Sequence, residues 1–186
     1  MDSQHQELQF RVGINHDVER IAEYHHRCWL TSFASLFEPG VVERMDPLGR
    51  LDRFRFWLSP DSGMRTVVAA QGGVVVGHVI VEGNEIVHLF IDPDHQGAGT
   101  GRKLLGVGEG LIVEAGFGDA ELHTMVGNEP ALGLYASAGW LLTDRLIHSA
   151  HDGVEYDEHV LVKQLDVTTA RRDVIEKTSP RKADPA

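Results

Sequence analysis

Residues 86–105 read IVHLFIDPDHQGAGTGRKLL, and this stretch decides how the rest of the chain is read. It opens as a strand, with His88, Phe90 and Asp92 alternating against Val87, Leu89 and Ile91. Pro93 removes a backbone donor and stops the strand. Gln96-Gly97-Ala98-Gly99-Thr100-Gly101 follows, then a run carrying Leu104, Leu105, Val107, Leu111 and Ile112 at helical spacing. The order is strand, glycine-rich turn, helix start. A helix start leaves backbone N–H groups unpaired and partly positive. Glycines strip away the side chains that would hold a ligand off, so the stretch is built for an anion, typically a phosphate. Arg102 and Lys103 are unfavourable in a first turn unless an anion faces them.

Two common phosphate loops do not fit. A dinucleotide fold needs G-x-G-x-x-G, whereas Gly97, Gly99 and Gly101 are spaced G-x-G-x-G and Arg102 follows. A P-loop needs G-x-x-x-x-G-K-[ST], which is absent. The order of the preceding elements also differs from an alternating βαβ chain. Arg65 to Ala70 and Val74 to Val81 are β-rich and separated by Gln71-Gly72-Gly73, which reads as a hairpin. Gly83-Asn84 makes the next turn, so three antiparallel strands precede the glycine loop.

Upstream, Leu8 to Ile14 reads as a first strand, and Asn15 is placed to cap a helix. Val18, Ile21, Ala22, His25, Cys28 and Trp29 recur at helical spacing until Pro39-Gly40 breaks the pattern. A second helix is expected from Pro47 to Leu58. Downstream, Gly116 and Gly118 end the long helix, and Ala120 to Val126 forms a fifth strand. Asn128-Glu129-Pro130 opens another helix, with Asn128 as cap, and Gly139 ends it. Trp140 to Ser149 and Val154 to Leu165 are strands joined at His151-Asp152-Gly153. The polar stretch 166–186 reads as a flexible tail behind a single domain spanning 6–165.

Asn128-Glu129-Pro130-Ala131-Leu132-Gly133-Leu134-Tyr135-Ala136-Ser137-Ala138-Gly139-Trp140 supplies a second motif, N-x-x-A-x-x-[LF]-Y-x-x-x-G-[FW]. With the [QR]-x-x-G-x-[GA] loop at Gln96 to Gly101, in this order, the chain resembles the GCN5-related N-acetyltransferases (GNAT) from about Glu85 to Trp140. That resemblance implies an α/β (α+β) fold: a mixed, mostly antiparallel seven-stranded sheet flanked by about four helices, with strands 4 and 5 splayed. It implies acetyl-CoA as cosubstrate. Leu89, Phe90 and Ile91 would offer backbone groups to its pantetheine arm and acetyl carbonyl. Gln96, Gly97, Ala98, Gly99, Thr100, Gly101 and Arg102 would wrap its pyrophosphate, and Asn128 would bond the pantetheine side. Tyr135 would protonate the departing thiolate. Acetyl would pass to a primary amine, on a small molecule or a peptide, by direct attack in a ternary complex.

An ammonium must lose a proton before it attacks. Some family members place a Glu five residues before the asparagine; here that position is His123, and histidine titrates near the working pH. His88 is the rival base, Glu85 and Glu121 are weaker choices, and a water chain is a third route. A non-catalytic acetyl-CoA-binding module and a nucleotide-binding αβ domain are the competing classes.

Composition bounds these readings. Net charge is −11, which argues against a nucleic-acid surface. No apolar run approaches the roughly 18 residues of a membrane span, and the N-terminus lacks a signal-peptide pattern. Cys28 is the single cysteine, so no internal disulfide forms and a cytoplasmic location is expected. Eleven histidines include no H-E-x-x-H and no Cys/His framework, so no metal is expected. A homodimer is the default assembly on symmetry grounds.

Overall fold

The computed structural model describes residues 7–41, 51–151 and 153–167. Seven strands form one mixed sheet: β1 Leu8–Val12, β2 Arg65–Gln71, β3 Val74–Glu82, β4 Glu85–Ile91, β5 Asp119–Met125, β6 Leu141–His151 and β7 Val154–Gln164. Their spatial order is β1-β2-β3-β4-β5-β7-β6. Among the described residues four helices flank it: α1 Val18–Cys28, α2 Leu51–Trp57, α3 Thr100–Glu114 and α4 Glu129–Ser137. The start expected for the second helix, the centre of the last hairpin at Asp152 and the tail from 168 onward lie outside the described residues. Among the described residues no helix is long and apolar enough to cross a membrane.

All strand pairs are antiparallel except β4 with β5, which are parallel and paired only at Glu85↔Glu121 and Ile86↔Leu122. The Asn84 side chain donates to Asp119 (2.9 Å) and the Glu121 amide to the Asn84 carbonyl (3.0 Å), pinning the shared start. Beyond it the two strands diverge. A bulge helps to cause this: Val81 faces Ile86 but Ile80 faces His88, so Val87 is an extra residue in β4. Bulges bend a strand and sharpen its twist. The extra residue also lets Ile86 share a face with Leu89 and Ile91, which strict alternation forbids.

The sheet is covered on both faces. On one, Leu104, Leu105 and Ile112 of α3 pack with Val79, Val81, Leu122 and Tyr135. Each such buried side chain contributes about 1.5–3 kcal/mol before chain entropy is counted. A Cβ at Gly108 would stand 3.0 Å from Val79 and 3.2 Å from Ile86, so glycine sets how closely α3 approaches. On the other face, Val18, Ile21, Ala22 and Tyr24 of α1 meet Phe54 of α2 and Val68 and Val75. Trp140, just after the left-handed turn at Gly139, donates its indole N–H to Glu109 of α3 (2.8 Å), which also pairs with Lys163 of β7 (2.7 Å).

The start of α1 differs from the sequence reading. Asn15 does not cap it; Asn15–Asp17 is a single 3-10 turn, and α1 begins at Val18. Asp17 wins the local competition because its carboxylate takes both Arg11 guanidinium nitrogens (2.7 Å each) and the Ile14 amide (2.9 Å). After Cys28 the helix widens into a π turn, Trp29–Phe33, and ends in a 3-10 turn, Ala34–Leu36.

Asp92, at the end of β4, has 0 % exposure and binds Arg20 and Arg27, both from α1. Its side chain also accepts from the Asp94 amide (3.2 Å), while its own amide donates to Val76 of β3 (2.9 Å). One buried carboxylate thus fixes α1, the end of β4 and the turn at Pro93. Asp92→Ala would leave two guanidiniums facing each other, although both are partly solvated. A loss of about 2–3 kcal/mol is expected, or roughly 5–10 °C in Tm, measurable by thermal unfolding at pH 7.

Candidate active site

The gap between β4 and β5 opens into a cleft of about 630 Å³. The Asp92 amide points to β3, so by alternation the peptide groups of Phe90 also point there, while those of Leu89 and Ile91 face the gap. The Ile91 carbonyl accepts from the Gln96 side-chain amide (3.1 Å) and the Cys28 thiol (3.2 Å), which folds the loop back against β4.

The loop delivers the expected helix start. Gly99 is the N-cap of α3 at φ +81°, and Gly97 has φ +79°. A Cβ at either would meet nothing within 4 Å, and both line the cleft. The amides of Thr100, Gly101 and Arg102 sit in the first turn, where no intrahelical acceptor exists. Gly101 and Arg102 line the cleft; Ala98 is exposed and Thr100 is buried, both just off its wall. Arg102 has a further role: its guanidinium donates to the hydroxyl (2.8 Å) and carbonyl (3.0 Å) of Ser137, the C-terminal end of α4. A cation there is favourable for that helix.

Asn128 caps α4 through a long contact from the Ala131 amide (3.4 Å), and its amide nitrogen donates to Thr124 of β5 (3.3 Å). It therefore joins the gap's far strand to α4. Tyr135, on α4, is 7 % exposed, lies against the α3-side core and lines the cleft. Burial pushes its phenol well above the ordinary value.

The opposite side of the sheet carries the histidines. His123 on β5 stands between Glu121 (Nε2 to Oε1, 3.0 Å) and Glu85 (Nδ1 to Oε1, 3.6 Å) and lines the cleft. The His123 hydrogen bond, assisted by Arg145, holds the Glu121 carboxyl low, whereas burial raises that of Glu85 against the pull of His123. His88 also lines the cleft but is packed into rings: 4.6 Å from Trp57 and stacked 5.5 Å from His25. Behind it His78, 0 % exposed, shares a 2.6 Å hydrogen bond with the Tyr24 hydroxyl. Burial lowers His78 to about 3 and raises the Cys28 thiol to about 12, so neither histidine base nor thiolate nucleophile is available from them near neutrality.

Sequence reading missed several cleft residues: Met125 on β5, and Tyr156 and Glu158 on β7. Tyr156 and Glu158 are two apart and so share a face. Only the pairing of β5 with β7, Met125↔Glu158 and Thr124↔His159, reveals that this face borders the gap. Among the described residues no group of three His, Cys, Asp or Glu side chains is arranged to hold a metal ion.

A sheet parted in its middle, with a glycine loop feeding α3 on one side of the gap and Asn128 and Tyr135 on the other, defines an acyltransferase architecture. The family model described as Acetyltransferase (GNAT) family matches residues 19–140, and the chain belongs to that family. Solved structures agree on the fold. A GCN5-related N-acetyltransferase from Rhodopseudomonas palustris superposes with TM-score 0.74 at 20% identity, covering 89% of this chain and 100% of that one. The PaiA N-acetyltransferase from Thermoplasma acidophilum, in complex with coenzyme A, gives 0.71 at 14% identity over 85% and 99%. A phosphinothricin acetyltransferase from Sinorhizobium meliloti, in complex with AcCoA, gives 0.65 at 20% identity over 94% of each. No curated protein matches the sequence.

His78 supplies a pH test. Its folded pKa lies below the unfolded value near 6.5, so the stability it protects is complete above pH 6.5 and is lost as pH falls toward 3. At pH 5 the loss is about 2 kcal/mol, from about 1.4 kcal/mol per pH unit. His78→Gln should shrink the fall in urea unfolding free energy between pH 7 and pH 5 by that amount. Equal falls in both proteins would mean that acid acts elsewhere.

Proposed function

We propose that this chain transfers acetyl from acetyl-CoA to a primary amine by direct attack. The observation that carries the reading is the gap itself: a strand edge at Leu89 and Ile91 beside a glycine-lined helix start. The residues fit this cosubstrate. Leu89 and Ile91 present peptide groups to an extended arm, as a neighbouring strand would receive them. The first-turn amides of α3 suit a pyrophosphate, and the open space over Gly97 and Gly99 lets it approach. Asn128, already bridging β5 and α4, is placed to bond the arm's amides.

The chemistry then follows from this chain's side chains. The amine nitrogen forms a bond to the thioester carbon, the C–S bond breaks, and the ammonium proton must leave. His123 is our choice for the base. With Nε2–H donated to Glu121, its Nδ1 lone pair accepts that proton, and Glu85 stabilises the imidazolium. His88 is held in an aromatic nest and serves better as wall than as base. A backbone N–H on β4 stabilises charge developing on the carbonyl oxygen. Tyr135 donates its proton to the departing sulfur. Its raised pKa keeps the phenol protonated throughout the neutral range, as an acid must be.

Tyr135→Phe removes the donor and little volume. It should lower kcat about 100-fold while leaving acetyl-CoA affinity within about twofold, read by thiol release and calorimetry. Unchanged turnover would take Tyr135 out of the mechanism. Gly99→Val places a branched side chain at φ +81°, at a cost of roughly 1–3 kcal/mol, and fills the space over the helix start. It should abolish acetyl-CoA binding in protein that still folds by circular dichroism. Retained affinity would put the pyrophosphate elsewhere.

A further inference from the structure

The half of the cleft that would receive the amine has its own chemistry. The coenzyme side is the α3–α4 face, where Asn128, Leu134, Tyr135 and the glycine loop lie. The acceptor must therefore come from the α1 face, through the parted strands. That face is a wall of rings. Trp29 meets Phe33 edge to face at 5.1 Å, stacks over Phe37 at 6.2 Å and meets Tyr156 at 5.9 Å. Met125 closes the floor against Trp29 and Phe33. The wall crosses from α1 to β7, so it forms only in the folded chain, and Trp29, Phe33 and Tyr156 all line the cleft.

Among the described residues, the carboxylates on this side have no Lys or Arg beside them on the cleft wall. Glu158 lines the cleft, two residues along β7 from Tyr156, and is held by the Ser149 hydroxyl (2.5 Å). Glu85 and Glu121 stand behind His123. Among the described residues Arg102 is the one Lys or Arg on the cleft wall, and it belongs to the coenzyme side, tied to Ser137. Arg145 is off the wall, spent on Glu121. Arg20 and Arg27 are spent on Asp92, and they too are off it.

Resting on the proposed acetyl transfer, we infer that the acceptor is a small primary amine with an aromatic or apolar arm and no acidic group. Glu158 holds the ammonium, and Trp29, Phe33 and Tyr156 receive the arm. A cation beside Trp and Tyr faces is itself attracted by their ring quadrupoles. A carboxylate on the same carbon would enter a largely apolar pocket whose described lining offers it acidic groups and no guanidinium or ammonium, and a desolvated charge without a partner is strongly disfavoured. The same argument excludes amino acids and phosphinate-bearing amines, and a polyamine carries no ring to stack on the aromatic wall.

The test pairs amines that differ in one group. Thiol release from acetyl-CoA is measured on the full chain with 2-phenylethylamine and tryptamine, with phenylalanine and tryptophan, and with spermidine and a glycine-initiated peptide. Calorimetry with acetyl-CoA alone runs beside it. The two arylalkylamines should exceed their carboxylated partners by at least 100-fold in kcat/KM and exceed spermidine and the peptide. Glu158→Gln should raise KM for 2-phenylethylamine about tenfold, and Tyr156→Ala should do so comparably, with KM for acetyl-CoA unchanged in both. If an amino acid, spermidine or the peptide is the best acceptor, or if no amine is acetylated although acetyl-CoA binds, the acceptor class is wrong and the coenzyme reading survives. If acetyl-CoA does not bind, the underlying reading fails and takes this inference with it.

Discussion

β4 and β5 share a sheet through only two residue pairs, Glu85↔Glu121 and Ile86↔Leu122, and then part. A strand edge left unpaired inside a protein is costly, because each buried N–H or C=O without a partner loses a hydrogen bond that water had supplied. Most sheets never incur that cost. Here the fold is arranged to sustain it. The bulge at Val87 turns β4 away, while β5 keeps its full pairing with β7 from Asp119 to Met125. The peptide groups of Leu89 and Ile91 are left for another partner, and part of the deficit is met at the Ile91 carbonyl by Gln96 from the loop and Cys28 from the end of α1. On the proposed reading the coenzyme arm completes the sheet, so binding and strand pairing are one event.

An open gap in mid-sheet must be braced from outside. Asp92 does this at the mouth, binding α1 through Arg20 and Arg27 where β4 ends. The same α1 continues into the π turn that presents Trp29 and Phe33 to the cleft. The loop and the aromatic wall are thereby positioned by one carboxylate, which sits among neither set of expected site residues. Arg102 and Ser137 form a matching brace on the other face, linking the start of α3 to the end of α4.

What could be read in the sequence, and what could not, divides along sequence distance. The glycine loop and the motif from Asn128 to Trp140 are short, and their physics is local: left-handed glycines, a cap, a proline in the first turn. The hairpins at Gly72-Gly73 and Gly83-Asn84 are legible for the same reason. In the sequence Asp92 reads as one residue of a strand face, because nothing near it announces that its partners lie 72 and 65 residues upstream. Tyr156 and Glu158 were invisible as site residues because their place depends on the register of β7 against β5, a relation no local pattern encodes. Asn15 misled for a related reason. Its capping propensity is genuine, but Arg11, on β1 six residues before Asp17, gives Asp17 a stronger set of bonds.

The two faces of the parted sheet also keep two proton reservoirs apart. On the proposed reading Tyr135 gives a proton from the α4 side, whereas His123 takes one from the amine on the α1 side. Were acid and base on the same face within hydrogen-bonding distance, each would satisfy the other. The phenol would lose its donor to the imidazole, and the imidazole its lone pair, before any substrate arrived. Burial raises the phenol so that it stays protonated, and the carboxyl groups of Glu121 and Glu85 stand at the two nitrogens of the imidazole. The gap is then the one path by which the two meet, and only with a thioester and an amine between them. A sheet that closed fully would shut that path, and a sheet parted without α1 and α4 braced on either side would let water fill it. The short β4–β5 pairing, Asp92, and the separation of Tyr135 from His123 are therefore three consequences of one requirement: an opening wide enough for an extended arm, in a sheet that still keeps its two faces distinct.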